Sequence, residues 1–431
     1  MEDDPRPGAT PSGSTVVHPL VANVFDALDR AGLTWALMRG DDALDTSAPD
    51  IDLLLLEADI AGAAGALEHL NFARLPGWGR GSHRFFLTYN AEHDAWVKLD
   101  IITELSFGAN AQVRTGCADD CLARRVPAEG AWVLDDDDRF WALLLHCALD
   151  RADVPDRHAR SMNEMSATAD GTGPLGSWFA HHAPDGWTTD RALHMARVGD
   201  LEPIADLRRR MRADRRWRSP SSILVSLRRE ALRRLTKVRK LTVQRGFSVA
   251  LLGPDGVGKS TLSKALGQTF YFPVRSVYMG LYGAGPSGRP PRGMLGRLGR
   301  QWNGYLQAML HQSRGRLVVF DRFSYDASLR RPSGARLRAR ARSWLLSRSV
   351  PAPDLIVVLD APAELLRTRK DEHGLKTLEA QRHAYLELAT RLKGVEIVRA
   401  DRSADEVRRD VTARIWKRYV ERWRSRAADG P

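Results

Sequence analysis

Apolar residues recur at helical spacing from Leu20 to Ala31, then give way to the strand-like run Thr34–Gly40 and, after a polar loop, to Asp50-Ile-Asp52-Leu-Leu-Leu-Leu. The pattern predicts a helix over 58–70 and strands over 83–89 and 95–102. From Asp135 to Arg218 it turns helical, beginning with Arg139-Phe-Trp-Ala-Leu-Leu-Leu-His146 and broken by a Gly/Pro loop at 168–176. His146 reads as a core or interhelical hydrogen-bonding residue. Leu224, Leu227, Ala231, Leu235, Val238 and Leu241 then form one apolar stripe on an otherwise cationic helix. From Phe247 onward strands alternate with helices, as a parallel sheet requires.

These shifts predict five segments: a disordered tail over 1–18, an α+β domain over 19–135, a helical region over 136–218, a basic linker helix over 219–245 and an α/β domain over 246–431. A chain of 431 residues, 43% of them hydrophobic, is long enough for more than one core. The formal charge of +12 favours anionic partners such as nucleotides, nucleic acid or acidic lipid headgroups, among which charge alone does not choose; the arginine-rich joint from Arg208 to Lys240 could serve either of the last two. Cys117, Cys121 and Cys147 supply neither a disulfide framework nor a four-ligand zinc set, which points to a reducing, cytoplasmic setting. No apolar run approaches the length of a bilayer span. The Asp135 to Asp138 run reads as a helix cap with favourable first-turn charges.

The segment carrying most chemistry is Val249-Ala-Leu-Leu-Gly253-Pro-Asp255-Gly256-Val257-Gly258-Lys259-Ser260-Thr261, an apolar strand entering G-x-x-x-x-G-K-S and then a helix. Glycines let successive N–H groups approach phosphate oxygens, and the helix N-terminus adds its positive end. Lys259 reaches the β- and γ-phosphates while the Ser260 hydroxyl ligates Mg²⁺, so the loop predicts an ATP-type site. A dinucleotide fingerprint is disfavoured because Thr261 stands where its third glycine belongs. A second apolar strand ends in Asp321-Arg322-Phe323, placing a carboxylate to hold the Mg²⁺ shell or orient the attacking group, and a guanidinium to neutralise phosphate charge. After the strand Leu355–Asp360, the helix-end cations Arg367, Arg369 and Lys370 suit a lid over a transferring phosphoryl group. The loop at Ala400-Asp401, ahead of a helix start at Ser403, is a resting place for the nucleotide base.

In that order these motifs resemble the thymidylate kinases over residues 246–425. The resemblance implies a P-loop nucleoside-monophosphate kinase fold with ATP and Mg²⁺, Asp255 facing the acceptor's sugar hydroxyl, Arg322 on phosphate, the cationic cluster as a lid, and a dimeric arrangement. Two departures stand out. The Arg-Glu-Pro-Gly-Gly segment of that family is replaced by Val277–Gly293, which is glycine-rich and basic, and its serine after the Asp-Arg-aromatic motif is replaced by Asp326. The acceptor is therefore a nucleoside monophosphate (dTMP-like) or another small phosphorylated molecule.

In the N-terminal half, Asp50 and Asp52 flank Ile51 on a predicted strand, so both carboxylates share a face, and Asp100 on another strand is a third acid for the same place. Converging acids call for bound cations, two Mg²⁺ on a triphosphate being the usual solution. Arg39-Gly40, Asp50-x-Asp52 and Asp100 resemble the polymerase-β-like nucleotidyltransferase superfamily, including members followed by a helical region, over 19 to about 215. Where that family places Ser or Gly after the loop glycine, this chain has Asp41. The expected whole is a kinase fused to a nucleotidyltransferase-type domain. Alternatives are a nucleotide-dependent scaffold with little turnover and a nucleic-acid-associated protein.

Overall fold

A computed structural model describes residues 17–39, 50–75, 82–108, 111, 113–128, 130–151, 153–213, 246–280, 293–329, 337–370 and 373–428. The tail over 1–16, the Gly40–Asp41 loop, the linker helix with its apolar stripe, and the glycine-rich segment from 281 to 292 lie outside them. The chain divides into two compact units, Met1–Thr88 with Ala95–Arg229, and Glu230–Pro431 with the short segment Tyr89–Asp94.

In the N-terminal unit the predicted helix forms as α1 (Pro19–Arg30), followed by β1 (Trp35–Arg39), β2 (Asp50–Leu55), α2 (Ile60–His69), β3 (Ala73–Arg74), β4 (His83–Asn90) and β5 (Ala95–Ile102). The stretch beyond, for which the pattern predicts no element, contains β6 (Ser106–Phe107), β7 (Val113–Arg114), α3 (Ala118–Ala123), β8 (Val126–Ala128) and β9 (Ala131–Val133). Strands that short bear too few residues for an alternation to register. Seven strands make one mixed sheet in the order β3-β4-β5-β2-β1-β9-β8. Its Leu37, Ile51, Leu53, Leu99 and Ile101 face α1 and α2 in one apolar cluster. The alternate residues Ala36, Leu54 and Ile102 pack instead with Phe140 and Trp141 of α4 (Asp136–Leu149). Sheet and helical region thus share a core.

The helical region comprises α4, α5 (Asp156–Met165), α6 (Pro174–His182), α7 (Thr189–Val198) and α8 (Ile204–Ala213). Asp135 caps α4 by accepting the Asp137 N–H, but the run does more than cap. Asp137 accepts N–H groups from Trp141 Nε1 at 3.0 Å, Asp170 at 3.2 Å, and Gly171 and Gly173 at 2.8 Å each. Asp138 accepts the Leu175 N–H at 3.1 Å. The acids of one helix start therefore satisfy the backbone of the 168–176 loop. Part of the basic run has a similar job: Arg208 donates to the carbonyls of Ala148 and Cys147, and Arg212 to that of Leu149, closing the C-terminus of α4.

The C-terminal unit is a five-stranded, wholly parallel sheet in the order β11-β12-β10-β13-β14: β10 (Phe247–Leu252), β11 (Val274–Tyr278), β12 (Leu317–Asp321), β13 (Leu355–Asp360) and β14 (Val395–Arg399). The connections carry α9 (Lys259–Thr269), α10 (Gly293–Gln312), α11 (Asp326–Leu329), α12 (Leu337–Ser347), α13 (Ala363–Arg369), α14 (Leu375–Arg391) and α15 (Ala404–Ala428). Every residue of β10 is buried, which is why it reads as apolar from Val249 to Leu252 without polar alternation. At its start, Asp354 accepts the Ser248 N–H and hydroxyl at 2.8 Å each, joining β13 to β10. Chain order places β11 and β12 on one side of β10 and β13 and β14 on the other, so the loop after β10 opens at the sheet's switch point.

Candidate functional site

The loop after β10 is shaped by glycines in the left-handed half of backbone space, Gly253 at φ +144°, Gly256 at +84° and Gly258 at +102°. A Cβ on Gly253 would lie 2.7 Å from the Leu359 carbonyl oxygen, and one on Gly256 would lie 2.9 Å from that of Leu366. Close backbone approach, not only turning, demands glycine at both. Gly258 is the N-cap of α9, whose first residues are Lys259, Ser260 and Thr261. Val257 is buried and anchors the loop's underside. This cradle is what a chain of phosphates at a helix N-terminus requires.

Lys259 is only 7% exposed, and its Nζ donates to the carbonyls of Gly253 and Pro254 at 2.8 Å each. Burial, reinforced by the Arg322 cation, pushes its pKa down to about 8. Ser260, exposed at the head of α9, donates its hydroxyl to Asp321 Oδ2 at 3.1 Å. Asp321 ends β12 opposite Leu251 of β10. Two oxygen donors of the kind hard cations prefer thus meet at the mouth of the cradle, and this donor set fits Mg²⁺.

Arg322 has a left-handed backbone, φ +66°, and donates to Asp255 Oδ1 at 2.5 Å while its other terminal nitrogen lies 3.7 Å from Asp326 Oδ2. Burial opposes its charge, but Asp255 and Asp326 more than offset that and hold its pKa above the usual arginine range. Burial also works against the Asp255 carboxylate, yet Arg322 and Lys259 keep its pKa below the ordinary value. Asp326 is buried deeply enough that its carboxyl is raised despite Arg322, and it accepts the Tyr385 hydroxyl at 3.1 Å.

Of the expected lid cations, Lys370 lies against the cradle, where a Cβ on Gly256 would meet its own Cβ at 3.3 Å. Arg369 turns the other way and donates to the Ala400 carbonyl at 3.0 Å, linking α13 to the loop of Asp401; Arg367 is exposed on the same helix. Asp401 is held by Arg399 through two hydrogen bonds. Lys370 is thus placed against the cradle, whereas Arg369 is committed to the loop of Asp401.

Sequence reading misses the contribution of α14. Its Tyr385 supports Asp326, its Gln381 accepts the Asp255 N–H at 3.5 Å, and its Arg382 grips both oxygens of Asp360 at 2.6 and 3.0 Å. His373 Nε2 stands 3.8 Å from Asp255 Oδ2. Gln381 and Tyr385 are four residues apart, one helical turn, which is the only trace of this arrangement in the sequence.

In the N-terminal unit β2 and β5 run parallel with Asp52 opposite Asp100, and Asp50 opposite Lys98. Asp52 and Asp100 therefore occupy one face. The Asp50 side chain lies outside the described residues. Asp100 is engaged by His83, whose Nδ1 lies 3.0 and 2.9 Å from its two oxygens. Among the described residues no three His, Cys, Asp or Glu side chains are grouped to hold a metal ion. A cavity of about 270 Å³ adjoins, lined by Met38, His83, Ile102 and Phe107, and by His146, which bonds Asp150 at 3.0 Å.

No protein-family model matches the chain. The probable thymidylate kinase of Pyrococcus abyssi is 27% identical over 208 residues, 40% of this chain and 96% of that protein. That of Sulfolobus acidocaldarius is 24% identical over 184 residues, 37% of this chain and 92% of the relative. The solved thymidylate kinase of Candida albicans aligns at 19% identity and a TM-score of 0.31, over 39% of this chain and 89% of its own. About two fifths of the chain is thus similar to probable thymidylate kinases, each covered over nearly its whole length.

Proposed function

We propose that the C-terminal unit transfers the γ-phosphoryl group of ATP to a nucleoside monophosphate, dTMP-like, or to another small phosphorylated acceptor. The observation that carries this reading is the 3.1 Å contact of Ser260 with Asp321 at the open end of the glycine cradle, with Lys259 beneath it and Arg322 beside it. In this reading the amides of Gly256 to Thr261 hold the phosphates, and Lys259 exchanges its two carbonyl partners for phosphate oxygens. Ser260 and Asp321 hold Mg²⁺, which when bound supplies charge neutralisation to the phosphates. Asp321 also orients or deprotonates the attacking group. Arg322, pre-aimed by Asp255 and Asp326, steadies developing charge, and Asp255 faces the acceptor. Arg367, Arg369 and Lys370 swing over the cradle once ATP is bound, Arg369 leaving the Ala400 carbonyl it holds in the ligand-free chain, and the Asp401 loop takes the base.

The test is ADP formation by the full chain with ATP and a panel of phosphorylated acceptors. One acceptor stimulates turnover, and Lys259→Ala abolishes the stimulation. Saturable ATP binding with no stimulation by any acceptor would replace the kinase by a nucleotide-dependent scaffold.

The five-part organisation belongs to the same reading, with the N-terminal unit as a nucleotidyltransferase-type domain. What favours it is the register that sets Asp52 against Asp100 on parallel neighbours beside a cavity. Transfer of labelled nucleotide that survives Lys259→Ala and is lost in Asp50→Ala with Asp52→Ala supports it; no transfer from any common triphosphate removes it.

A further inference from the structure

Two local rules are broken on the wall of one cavity. The space of about 270 Å³ in the N-terminal unit lies between the sheet, which contributes Met38, His83 and Ile102, and α4, which contributes Ala142 and His146. Ala142, His146 and Asp150 follow at intervals of four residues and so form one stripe. Asp150 is the C-cap of α4, at the negative end of the helix dipole, where a cation is the stabilising choice. Both of its oxygens are engaged there: one accepts the Gly108 N–H at 2.6 Å, and the other faces His146 Nδ1 at 3.0 Å. Ser106, on the same wall, buries its hydroxyl oxygen with no hydrogen-bond partner among the described residues. A buried hydroxyl left unsatisfied and a carboxylate at the wrong helix end both cost stability, and such departures gather where a ligand supplies what the fold does not.

The chemistry of the wall selects that ligand. Met38, Ile102, Phe107 and Ala142 accept an apolar body. A cavity of about 150 Å³ is enough for a benzene ring, so this one has room for a ring and several further atoms. Because Asp150 can only accept, the His146 proton sits on Nδ1, and Nε2 of the neutral ring is an acceptor. The Ser106 hydroxyl both donates and accepts, and no hydrogen bond holds it in its present rotamer. An alcohol O–H satisfies both groups, donating to Nε2 and accepting from Ser106. An anion would meet an acceptor nitrogen beside a carboxylate, and among the described residues lining the cavity none is Lys or Arg. An ammonium would find the Asp150 oxygens already committed and would offer no acceptor to Ser106. We propose that this cavity binds a neutral, ring-sized alcohol, its body among the apolar side chains and its hydroxyl between His146 Nε2 and Ser106 Oγ. Binding of this kind stands apart from nucleotidyl transfer and is read with no nucleotide present.

The experiment is saturation-transfer NMR on the full chain with benzyl alcohol, benzylamine and benzoate, one ring carrying a neutral, a cationic and an anionic head. Benzyl alcohol binds saturably, and the two charged probes bind at least about tenfold more weakly, since a buried charge without a partner is penalised. Ala142→Phe fills the cavity and removes the binding. Ser106→Ala weakens it about fivefold, as the loss of one hydrogen bond does, while the thermal midpoint holds or rises because an unsatisfied hydroxyl has gone. Should Ala142→Phe misfold, Ser106→Ala carries the test, since its two readouts move apart only if the hydroxyl serves a ligand. No saturable binding of benzyl alcohol overturns the proposal, as does benzylamine or benzoate binding as tightly, or an affinity for benzyl alcohol that Ser106→Ala leaves unchanged.

Discussion

Lys259 shows how one residue can be poised by being uncomfortable. Its ammonium is buried against two carbonyls, and its pKa falls from 10.5 to about 8, a penalty of about 3 kcal/mol at neutral pH in the absence of phosphate. Between about pH 8 and 10.5 the unfolded chain binds a proton that the folded one has shed, so folding stability rises with pH across that window. Urea denaturation of the ligand-free protein at pH 7.5-type and alkaline buffers shows this rise, and Lys259→Met lacks it. Gly256→Ala brings a Cβ to 2.9 Å from the Leu366 carbonyl at a left-handed φ, and is expected to cost about 2 kcal/mol and abolish ATP binding measured by calorimetry. Arg322→Ala leaves buried Asp326 with Tyr385 as a weaker companion; it lowers stability by about 2 kcal/mol, while Arg322→Lys keeps the charge but not the fork and recovers only part of the turnover.

At the scale of elements, the sequence shows a structure best where one element carries one signal. Strands β10, β12 and β13 announce themselves as apolar runs ending in loop chemistry, because a parallel sheet buried on both faces leaves no polar alternation. The phosphate loop is legible because its glycines are dictated by backbone geometry within a few residues. Helix α14 is not legible as part of the site, since Gln381 and Tyr385 have ordinary helical identities until the fold brings Asp255 and Asp326 to them. The Asp135 to Asp138 run is legible only in part: a cap is a local event, whereas the bonds from Asp137 to Asp170, Gly171 and Gly173 span more than thirty residues. Asp137→Ala is expected to strip hydrogen-exchange protection from the 168–176 loop and to leave that of α9 unchanged, because a buried carboxylate accepting four N–H groups has no substitute.

At the scale of the whole molecule, two units each bury their own core, so their chemistries should fail separately. Asp50→Ala with Asp52→Ala is expected to leave acceptor-stimulated ADP formation within about twofold of the parent, as for substitutions made in a unit with its own core. The net charge of +12 is written in the composition, but the helical region, the cradle and the surface of α12 divide that charge among different tasks. Arg208 and Arg212 close a helix, Arg322 is locked between two acids, and Arg338 and Arg342 remain on the surface.

The amino-acid order alone determined the glycine cradle, the alternation of strands and helices after Phe247, and the acids that end β12 and β13, because each follows from dihedral freedom, periodicity or spacing within a short window. Only the tertiary structure decided that Asp326 joins Arg322 to Tyr385, that His83 holds Asp100, and that α10 packs Tyr305 on the core and leaves Leu295, Trp302 and Leu306 exposed. Those outcomes depend on which distant surfaces meet, and burial, not local preference, sets the free energy of each.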